Sequence, residues 1–189
     1  MTPKLEKALW AGVDALDDVG LRYAIVGGLA VGAWGHPRAT RDVDLYAELP
    51  DQARPRLRKA LETRGFEVPA MEEELTRFGV FRSRLVGPNV FLDIFDAVGP
   101  LGDAILERRV LITVGNRDLN FISASDLAVL KAFSDRRRDY DDLVSLLKSP
   151  AASLDVAYVE RWAVKLDESI GGNDVTERLR QASAQAAKT

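Results

Sequence analysis

Two aspartates, Asp42 and Asp44, stand one residue apart in a stretch with the composition of a strand. Side chains at positions i and i+2 of a strand point to the same side of a sheet, so we expect both carboxylates to lie together while Val43 enters the core. Two like charges this close repel each other unless a cation lies between them. The pattern favours a divalent metal held by carboxylate oxygens, although a solvated strand face with two aspartates also fits it.

A third aspartate, Asp93, interrupts the apolar stretch "VFLDIF". A buried strand seldom carries a charge that has no partner. We expect Phe91, Asp93 and Phe95 to share one face of this strand. If the strand lies beside Asp42 and Asp44, three carboxylates converge on one site. The alternative is that Asp93 belongs to a strand at the edge of the sheet.

Gly27 and Gly28 follow a short apolar stretch and precede a predicted helix. Backbone N–H groups in the first turn of a helix have no partner inside the helix and bind phosphate oxygens. Glycine also lets a ligand approach the backbone closely. Arg38, Thr40 and Arg41 directly precede the acidic pair, where they could contact phosphate or orient the loop. The glycines could equally form only a packing turn.

The composition limits the chemistry further. The 189 residues include no cysteine and one histidine, which excludes disulfides, thiol nucleophiles and multi-histidine zinc sites. A metal must then be held by oxygen ligands, as magnesium, manganese and calcium are. The net charge of −3 argues against a general polyanion binder. The uncharged run at 23–37 is shorter than the ~18 residues of a membrane helix, so we expect a cytoplasmic protein with no membrane contact.

The elements that must position these residues follow from hydrophobic periodicity. The stretch after "GGND" at the end of the chain is rich in Ala, Gln and Lys, and we expect it to fray. A serine at 123 precedes an aspartate at 126 in the manner of a helix cap. The predicted elements are a helix at 4–18, a strand at 21–26, a short helix to 34, a strand at 43–47, a helix at 51–64, a hairpin from 77–86 and 90–98, a short strand pair within 108–122, and three helices after 123.

This order predicts an α+β fold, a small mixed β-sheet with flanking helices followed by a short helical C-terminal part. We expect residues 1–122 to form the catalytic region and residues 123–189 to form a helical region packed on it. At this length the two regions are expected to make one compact domain overall.

The residues Ile25-Val26-Gly27-Gly28 and Arg38-Ala39-Thr40-Arg41-Asp42-Val43-Asp44 together resemble the nucleotidyltransferase superfamily of the DNA polymerase β type. The later stretch "LKAFSDRRRDYDDLVSL" resembles an element of the AbiEii-like nucleotidyltransferases, the toxin side of type IV toxin–antitoxin systems. The resemblance covers roughly residues 21–147 and implies a nucleotidyltransferase fold. One departure is that Gly28 stands where the superfamily carries serine, so no hydroxyl is available to the phosphates there.

The resemblance assigns roles to the candidate residues. It implies that Gly27 and Gly28 cradle the phosphates of a nucleoside triphosphate, with Arg38, Thr40 and Arg41 beside them. It implies that Asp42, Asp44 and Asp93 hold magnesium or manganese, that Asp93 activates the acceptor hydroxyl, that Lys131 approaches the triphosphate, that Asp139 contacts the nucleotide, and that Asp142 is structural. On residue type alone, Lys131 could be an exposed helix lysine. Asp139 and Asp142 could be helix first-turn acids that the dipole favours.

The activity implied is transfer of a nucleoside monophosphate from a triphosphate to an acceptor hydroxyl. As in toxin relatives, the acceptor would be RNA at the 3′ end of tRNA, or a protein, and a cognate antitoxin would be a partner. Arginines at 54, 58 and 136–138 could follow an RNA backbone. Alternatives are a small-molecule transferase of the antibiotic-modifying type and a degenerate relative that binds a nucleotide or partner without chemistry. A different fold with accidental motifs would place Asp93 far from Asp42 and Asp44.

Overall fold

The computed structural model describes residues 1–188, apart from the side chain at position 78. The helices are α1 (Pro3–Val19), α2 (Gly27–Trp34), α3 (Arg54–Thr63), α4 (Met71–Phe78), α5 (Gly99–Glu107), α6 (Ala124–Phe133), α7 (Arg137–Lys148), α8 (Val156–Ile170) and α9 (Asp174–Ala186), with a 3-10 turn at Pro150–Ala152. The strands are β1 (Tyr23–Ile25), β2 (Val43–Ala47), β3 (Phe66–Glu67), β4 (Val80–Leu85), β5 (Val90–Asp96), β6 (Val110–Val114) and β7 (Arg117–Phe121). The predicted α+β class is confirmed.

All seven strands form one mixed sheet in the order β3-β4-β5-β2-β1-β7-β6. The pairs β2–β5 and β1–β7 are parallel, and the remaining neighbours are antiparallel. Strands β2 and β5 are therefore central neighbours although α3, β3, α4 and β4 separate them in the sequence. This crossover brings the two acidic segments side by side.

The chain divides into two compact units. The first comprises Met1–Leu29 and Ala39–Ile122, and the second comprises residues 30–38 and the chain from Ser123 onward. The predicted boundary at 122 coincides with the end of the first unit, but residues 30–38 belong to the second. That both regions form one compact domain stays a prediction.

In the first unit, α1 begins where the Thr2 hydroxyl accepts a hydrogen bond from the backbone N–H of Leu5 at 3.3 Å. It ends at Gly20, whose φ of 74° caps the helix in the left-handed region. Its apolar stripe packs on β5, where Leu92 lies so close to Gly12 that a β-carbon there would be 3.0 Å from Cδ2. The helix thus covers the apolar face of the two acid-bearing strands.

Some elements lie where the sequence indicated none. Helices α4 and α5 and the two-residue strand β3 were not predicted. Helix α4 carries three glutamates in its first turn and Arg77 in its last, an arrangement that the helix dipole favours. Within residues 1–188, no helix is both long enough and apolar enough to cross a membrane.

The second unit is helical. Helix α6 begins at the expected cap, where the Ser123 hydroxyl accepts a hydrogen bond from the backbone N–H of Asp126 at 3.2 Å. The prediction that the last segment frays is wrong, because that segment forms α9, which buries Val175, Leu179 and Ala182. The apolar positions of α9 are spaced to cover α7 and α8, and this burial fixes the helix.

Candidate active site

The site begins with a row of side chains across three neighbouring strands. Asp44 of β2 lies in register beside Asp93 of β5, and Arg82 of β4 lies in register on the other side of Asp93. Residues in register on adjacent strands project from the same face of a sheet. That face therefore presents two carboxylates and one guanidinium group in a line, while Leu92 and Ile94 fill the core behind them with no exposed surface.

Asp42 lies one residue before β2 and is half-buried. Val43, between the two aspartates, is fully buried, as expected for alternating side chains. The Thr40 hydroxyl donates a hydrogen bond to the backbone carbonyl of Asp42 at 3.3 Å and so ties the preceding loop to the acidic pair.

Gly27 lies against the carboxylate of Asp44. Its φ is +59°, and a β-carbon added there would lie 1.9 Å from Oδ2 of Asp44, well inside contact distance. The backbone N–H of Val26 donates to the carbonyl of Asp44 at 2.9 Å. The glycine turn and the acidic pair are therefore two parts of one structure, and only glycine fits at the point where they meet.

Arg82 holds Asp93 by a two-pronged ion pair. The guanidinium Nε and Nη2 donate to the two carboxylate oxygens at 2.7 and 2.6 Å. The guanidinium also lies over the ring of Phe91, 5.0 Å from its centre, and the Arg82 backbone N–H donates to Glu74 at 2.9 Å. Bidentate pairs of this kind combine charge with fixed geometry.

The electrostatics extend this pair to the whole row. The hydrogen bonds that Arg82 donates to Asp93 raise the pKa of Arg82, burial opposes the rise, and the negative charges of Asp93, Asp42 and Asp44 add to it. Arg82 thus stands in the combined field of all three aspartates.

Arg82 was not among the predicted site residues. The hairpin that contains it was predicted, and its loop joins Leu85 to Val90, which are paired in register. Counting back from that pair places position 82 opposite Asp93. The register of the predicted hairpin was therefore the signal that could have identified Arg82.

The three aspartates fit a magnesium or manganese ion in chemical type, since both metals prefer carboxylate oxygens. They also fit in placement, because Asp44 and Asp93 share one face and Gly27 leaves room for the Asp44 carboxylate. As the side chains stand, however, no group of three or more acidic, histidine or cysteine residues within 1–188 is arranged to hold a metal ion. Both oxygens of Asp93 are turned toward Arg82.

The position of Asp93 excludes two of the alternative interpretations of the sequence. Strand β5 lies between β4 and β2, so Asp93 is not a sheet-edge residue. Its direct pairing with Asp44 also excludes the hypothesis of an unrelated fold with accidental motifs, which required the two to lie apart.

Lys131 lies in the second unit within a buried ion cluster. Its ammonium group contacts the carboxylate of Asp139 and lies 2.9 Å from Oδ2 of Asp142. Arg38 donates to both oxygens of Asp142 at 2.6 and 2.7 Å. The Lys131 side chain is only 7% exposed, so it is not the exposed helix lysine of the alternative interpretation.

The second aspartate of the cluster has further partners. Ser134 donates to Asp139 Oδ2 at 2.7 Å, and Arg136 contacts the same oxygen at 2.5 Å. Burial opposes ionisation of Asp139, but the hydrogen bonds from Lys131 and Ser134 outweigh it and lower its pKa. The pKa of Asp142 is also lowered, because the bonds from Arg38 and Lys131 outweigh the effect of burial.

The remaining predicted residues occupy the start of α2 and the loop after it. Gly28 lies in the first turn of α2 and is buried, and Arg41 is exposed. The structure thus groups Gly27, Asp44 and Asp93 in the first unit and groups Arg38, Lys131 and Asp139 in the second.

A family described as "Nucleotidyl transferase of unknown function (DUF2204)" matches residues 6–181. No curated protein shows significant sequence similarity to the chain.

Solved structures share the fold at low identity. The lincosamide antibiotic adenylyltransferase LnuA is 17% identical with a TM-score of 0.53, and the match covers 75% of this chain and 95% of that one. The antibiotic-resistance factor ANT(2'')-Ia is 17% identical with a TM-score of 0.52, over 97% and 94% of the two chains. A putative nucleotidyltransferase from H. pylori is 14% identical with a TM-score of 0.53, over 99% and 95%.

Proposed function

The chain belongs to the DUF2204 family of nucleotidyl transferases, and on that premise we propose that it transfers a nucleoside monophosphate in a metal-dependent reaction. The observation that carries the proposal is the contact of Gly27 with Asp44 beside Asp93. It sets a phosphate-binding backbone directly against a carboxylate row that can hold divalent metal. We also propose that the enzyme acts in the cytoplasm.

The triphosphate would bind at the start of α2. The first-turn N–H groups there, beginning at Gly27 and Gly28, have no acceptor inside the helix and suit phosphate oxygens. Asp42, Asp44 and Asp93 would hold magnesium or manganese, which supplies charge neutralisation for the phosphates when bound. Thr40 and Arg41 precede this acidic pair on the same loop.

In the reaction, an oxygen of the acceptor hydroxyl forms a bond to the α-phosphorus. The bond from the α-phosphorus to its bridging oxygen breaks, and pyrophosphate leaves with that electron pair. Asp93 accepts the proton of the acceptor hydroxyl. The protein mainly positions the reacting groups and balances charge, as is usual in phosphoryl transfer.

Arg38, Lys131 and Asp139 lie together in the second unit. Their ion cluster joins residues 30–38 to α6 and α7, and this supports a role in fixing the segment that follows the glycine turn. A direct contact of Lys131 or Asp139 with the nucleotide stays a prediction.

The basic residues proposed to follow an RNA backbone bear on the identity of the acceptor. Arg54 pairs with Asp51 at 2.7 Å, and Arg58 donates to the carbonyl of Val68 at 3.0 Å. Arg136, which precedes α7, and Arg137, its first residue, both pair with aspartates of α7. Cations already paired within the chain give little support to an RNA acceptor such as the tRNA 3′ end.

A small hydroxylated acceptor is therefore the second candidate. Two proteins with the same fold, LnuA and ANT(2'')-Ia, are described as an antibiotic adenylyltransferase and an antibiotic-resistance factor. The net charge of −3 also suits a small molecule better than a polyanion. A toxin role, with a protein or RNA acceptor and a cognate antitoxin, is the other candidate.

The proposal is tested with Asp42→Asn, which removes one negative charge from the metal-binding row. The protein is incubated with each labelled triphosphate, magnesium, and separately tRNA, protein extract and an aminoglycoside or lincosamide. Transfer is expected to fall at least about a hundredfold in the variant, because metal-held phosphate is worth several kcal/mol. Asp103→Asn, at an exposed position of α5, is the matched control and should transfer at the wild-type rate.

Transfer by Asp42→Asn at the wild-type rate would overturn the assignment of the site. If nucleotide and magnesium raise the melting temperature but no acceptor becomes labelled, the degenerate-relative alternative is favoured. The acceptor that becomes labelled decides between the small-molecule and toxin candidates.

A further inference from the structure

Arg82 engages the carboxylate oxygens that Asp93 would need in order to bind a metal ion. Its two donors engage both oxygens of Asp93 at 2.7 and 2.6 Å. Each carboxylate oxygen keeps a second lone pair, so a metal could still reach Asp93. That ion would then lie within a few Å of the guanidinium, where two positive charges repel strongly.

Without a metal, the acidic row requires a positive charge. Asp93 has a side chain that is 10% exposed and stands beside Asp44 on the same face. A buried carboxylate without a partner is costly, and a second carboxylate in register adds repulsion. Arg82 supplies the missing charge in a geometry suited to a carboxylate.

The two partners differ in their freedom to move. The Arg82 side chain is 54% exposed, whereas that of Asp93 is 10% exposed. The arginine can swing its long side chain into solvent, but the aspartate is held by the sheet on both sides. The residue that yields when a cation arrives is therefore Arg82.

We propose that Arg82 is an internal counter-cation that competes with the divalent metal for Asp93. In the metal-free enzyme it offsets part of the negative charge of the row formed by Asp42, Asp44 and Asp93. When metal binds, Arg82 releases at least one Asp93 oxygen, so it sets the metal affinity of the site. The inference rests on the proposed metal-dependent function.

The test compares Arg82→Gln with Arg84→Gln. Arg84 lies two positions along β4, projects from the same face, and pairs with Glu67 at 2.5 Å instead of the acidic row. Both substitutions remove one positive charge from the same strand. Binding of Mn²⁺ alone to the full chain is measured by calorimetry, and thermal unfolding is followed in EDTA and in Mn²⁺.

Arg82→Gln is expected to bind Mn²⁺ at least about tenfold more tightly than the wild type, because one repelling charge is gone. Arg84→Gln should stay within about twofold, since screened charges on exposed pairs contribute little. In EDTA, Arg82→Gln should melt below Arg84→Gln, and Mn²⁺ should restore most of the difference. Arg82→Lys keeps the charge but not the two-pronged bond and should bind Mn²⁺ with intermediate affinity.

Equal or weaker Mn²⁺ binding by Arg82→Gln than by the wild type overturns the inference. If Arg82→Gln does not fold, an Arg82→Lys affinity no tighter than that of the wild type has the same meaning. If either of these results is obtained while the wild type binds Mn²⁺ and transfers nucleotide, only the inference about Arg82 fails and the proposed function stands. When neither the wild type nor the variants bind Mn²⁺ and none transfers nucleotide, the proposed function fails.

Discussion

Gly27 is the residue at which the turn after β1 touches the carboxylate of Asp44. Two separate constraints act there, a φ of +59° and a β-carbon position 1.9 Å from Oδ2 of Asp44. The first makes any side chain strained, and the second makes it displace the acidic pair. The residue therefore couples backbone shape to the placement of the carboxylates.

Gly27→Ala is expected to destabilise the protein and to weaken Mn²⁺ binding. Gly20→Ala is the matched control, since Gly20 has a φ of +74° but nothing within 4 Å of its added β-carbon. The left-handed backbone alone costs about 1–2 kcal/mol for alanine, so both variants should lose that amount. Gly27→Ala should lose more, measured by urea unfolding. Equal losses in the two variants would show that the contact with Asp44 is without consequence.

The sequence predicts the residues of the acidic row but not the way they are held. Asp42, Asp44 and Asp93 could be identified because charges in strand-like stretches are unusual. The side chain that neutralises Asp93 depends on a pairing of β4 with β5, so Arg82 needed the register as well as the composition. Lys131 was selected by its motif, and only packing reveals that it is buried against Asp139.

At the scale of elements, Asp167 explains why the last segment is helical. This residue of α8 accepts hydrogen bonds from the backbone N–H of Val175 and from both donors of Thr176, at 2.9, 2.9 and 2.6 Å. The preceding Asn173 makes no side-chain cap bond. Helix α9 is therefore capped by a neighbouring helix, which no local motif of the sequence indicates.

Asp167→Asn is expected to loosen α9, because an amide offers one acceptor oxygen where the carboxylate offers two. Backbone hydrogen exchange at 175–186 should become several-fold faster. Asp174→Asn, an exposed change in the first turn of the same helix, should have a much smaller effect. Unchanged exchange in Asp167→Asn would mean that α9 is held by its apolar face alone.

The elements differ in how far the sequence determined them. The β4–β5 hairpin was predicted because its alternation and its loop both act over short distances. The parallel pairing of β2 with β5 joins segments about fifty residues apart, and no local pattern specifies it. The sheet order therefore required the structure.

At the scale of the whole molecule, the two units carry carboxylates with opposite acid responses. In the second unit, hydrogen bonds lower the pKa of Asp139 and Asp142 despite their burial. In the first unit, burial raises the pKa of Asp96, and the hydrogen bond from the backbone N–H of Leu49 and the positive charge of Arg54 only partly oppose it.

Acid is therefore expected to destabilise the second unit selectively. A carboxylate whose folded pKa is lowered stabilises the fold above its unfolded value of about 3.9, and this contribution is lost as the pH falls through the folded pKa. The raised pKa of Asp96 acts in the opposite direction, because its protonation on acidification relieves a cost. Hydrogen exchange below about pH 4 should show α6 and α7 losing protection before the sheet.

Asp142→Asn tests the cause of this difference. It should lower the stability of the second unit near neutral pH and flatten its loss on acidification, since one titrating group is gone. An acid response identical to that of the wild type would assign the effect to other carboxylates.

The second unit is assembled from two stretches of chain, and this has a consequence for synthesis on the ribosome. Arg38 is made 104 residues before its partner Asp142. At about 5–20 residues per second, that separation corresponds to roughly 5–20 s of translation. For that time the nascent segment 30–38 lacks its partners in α6 and α7, so Arg38 stays without its Asp142 ion pair until those helices have been made.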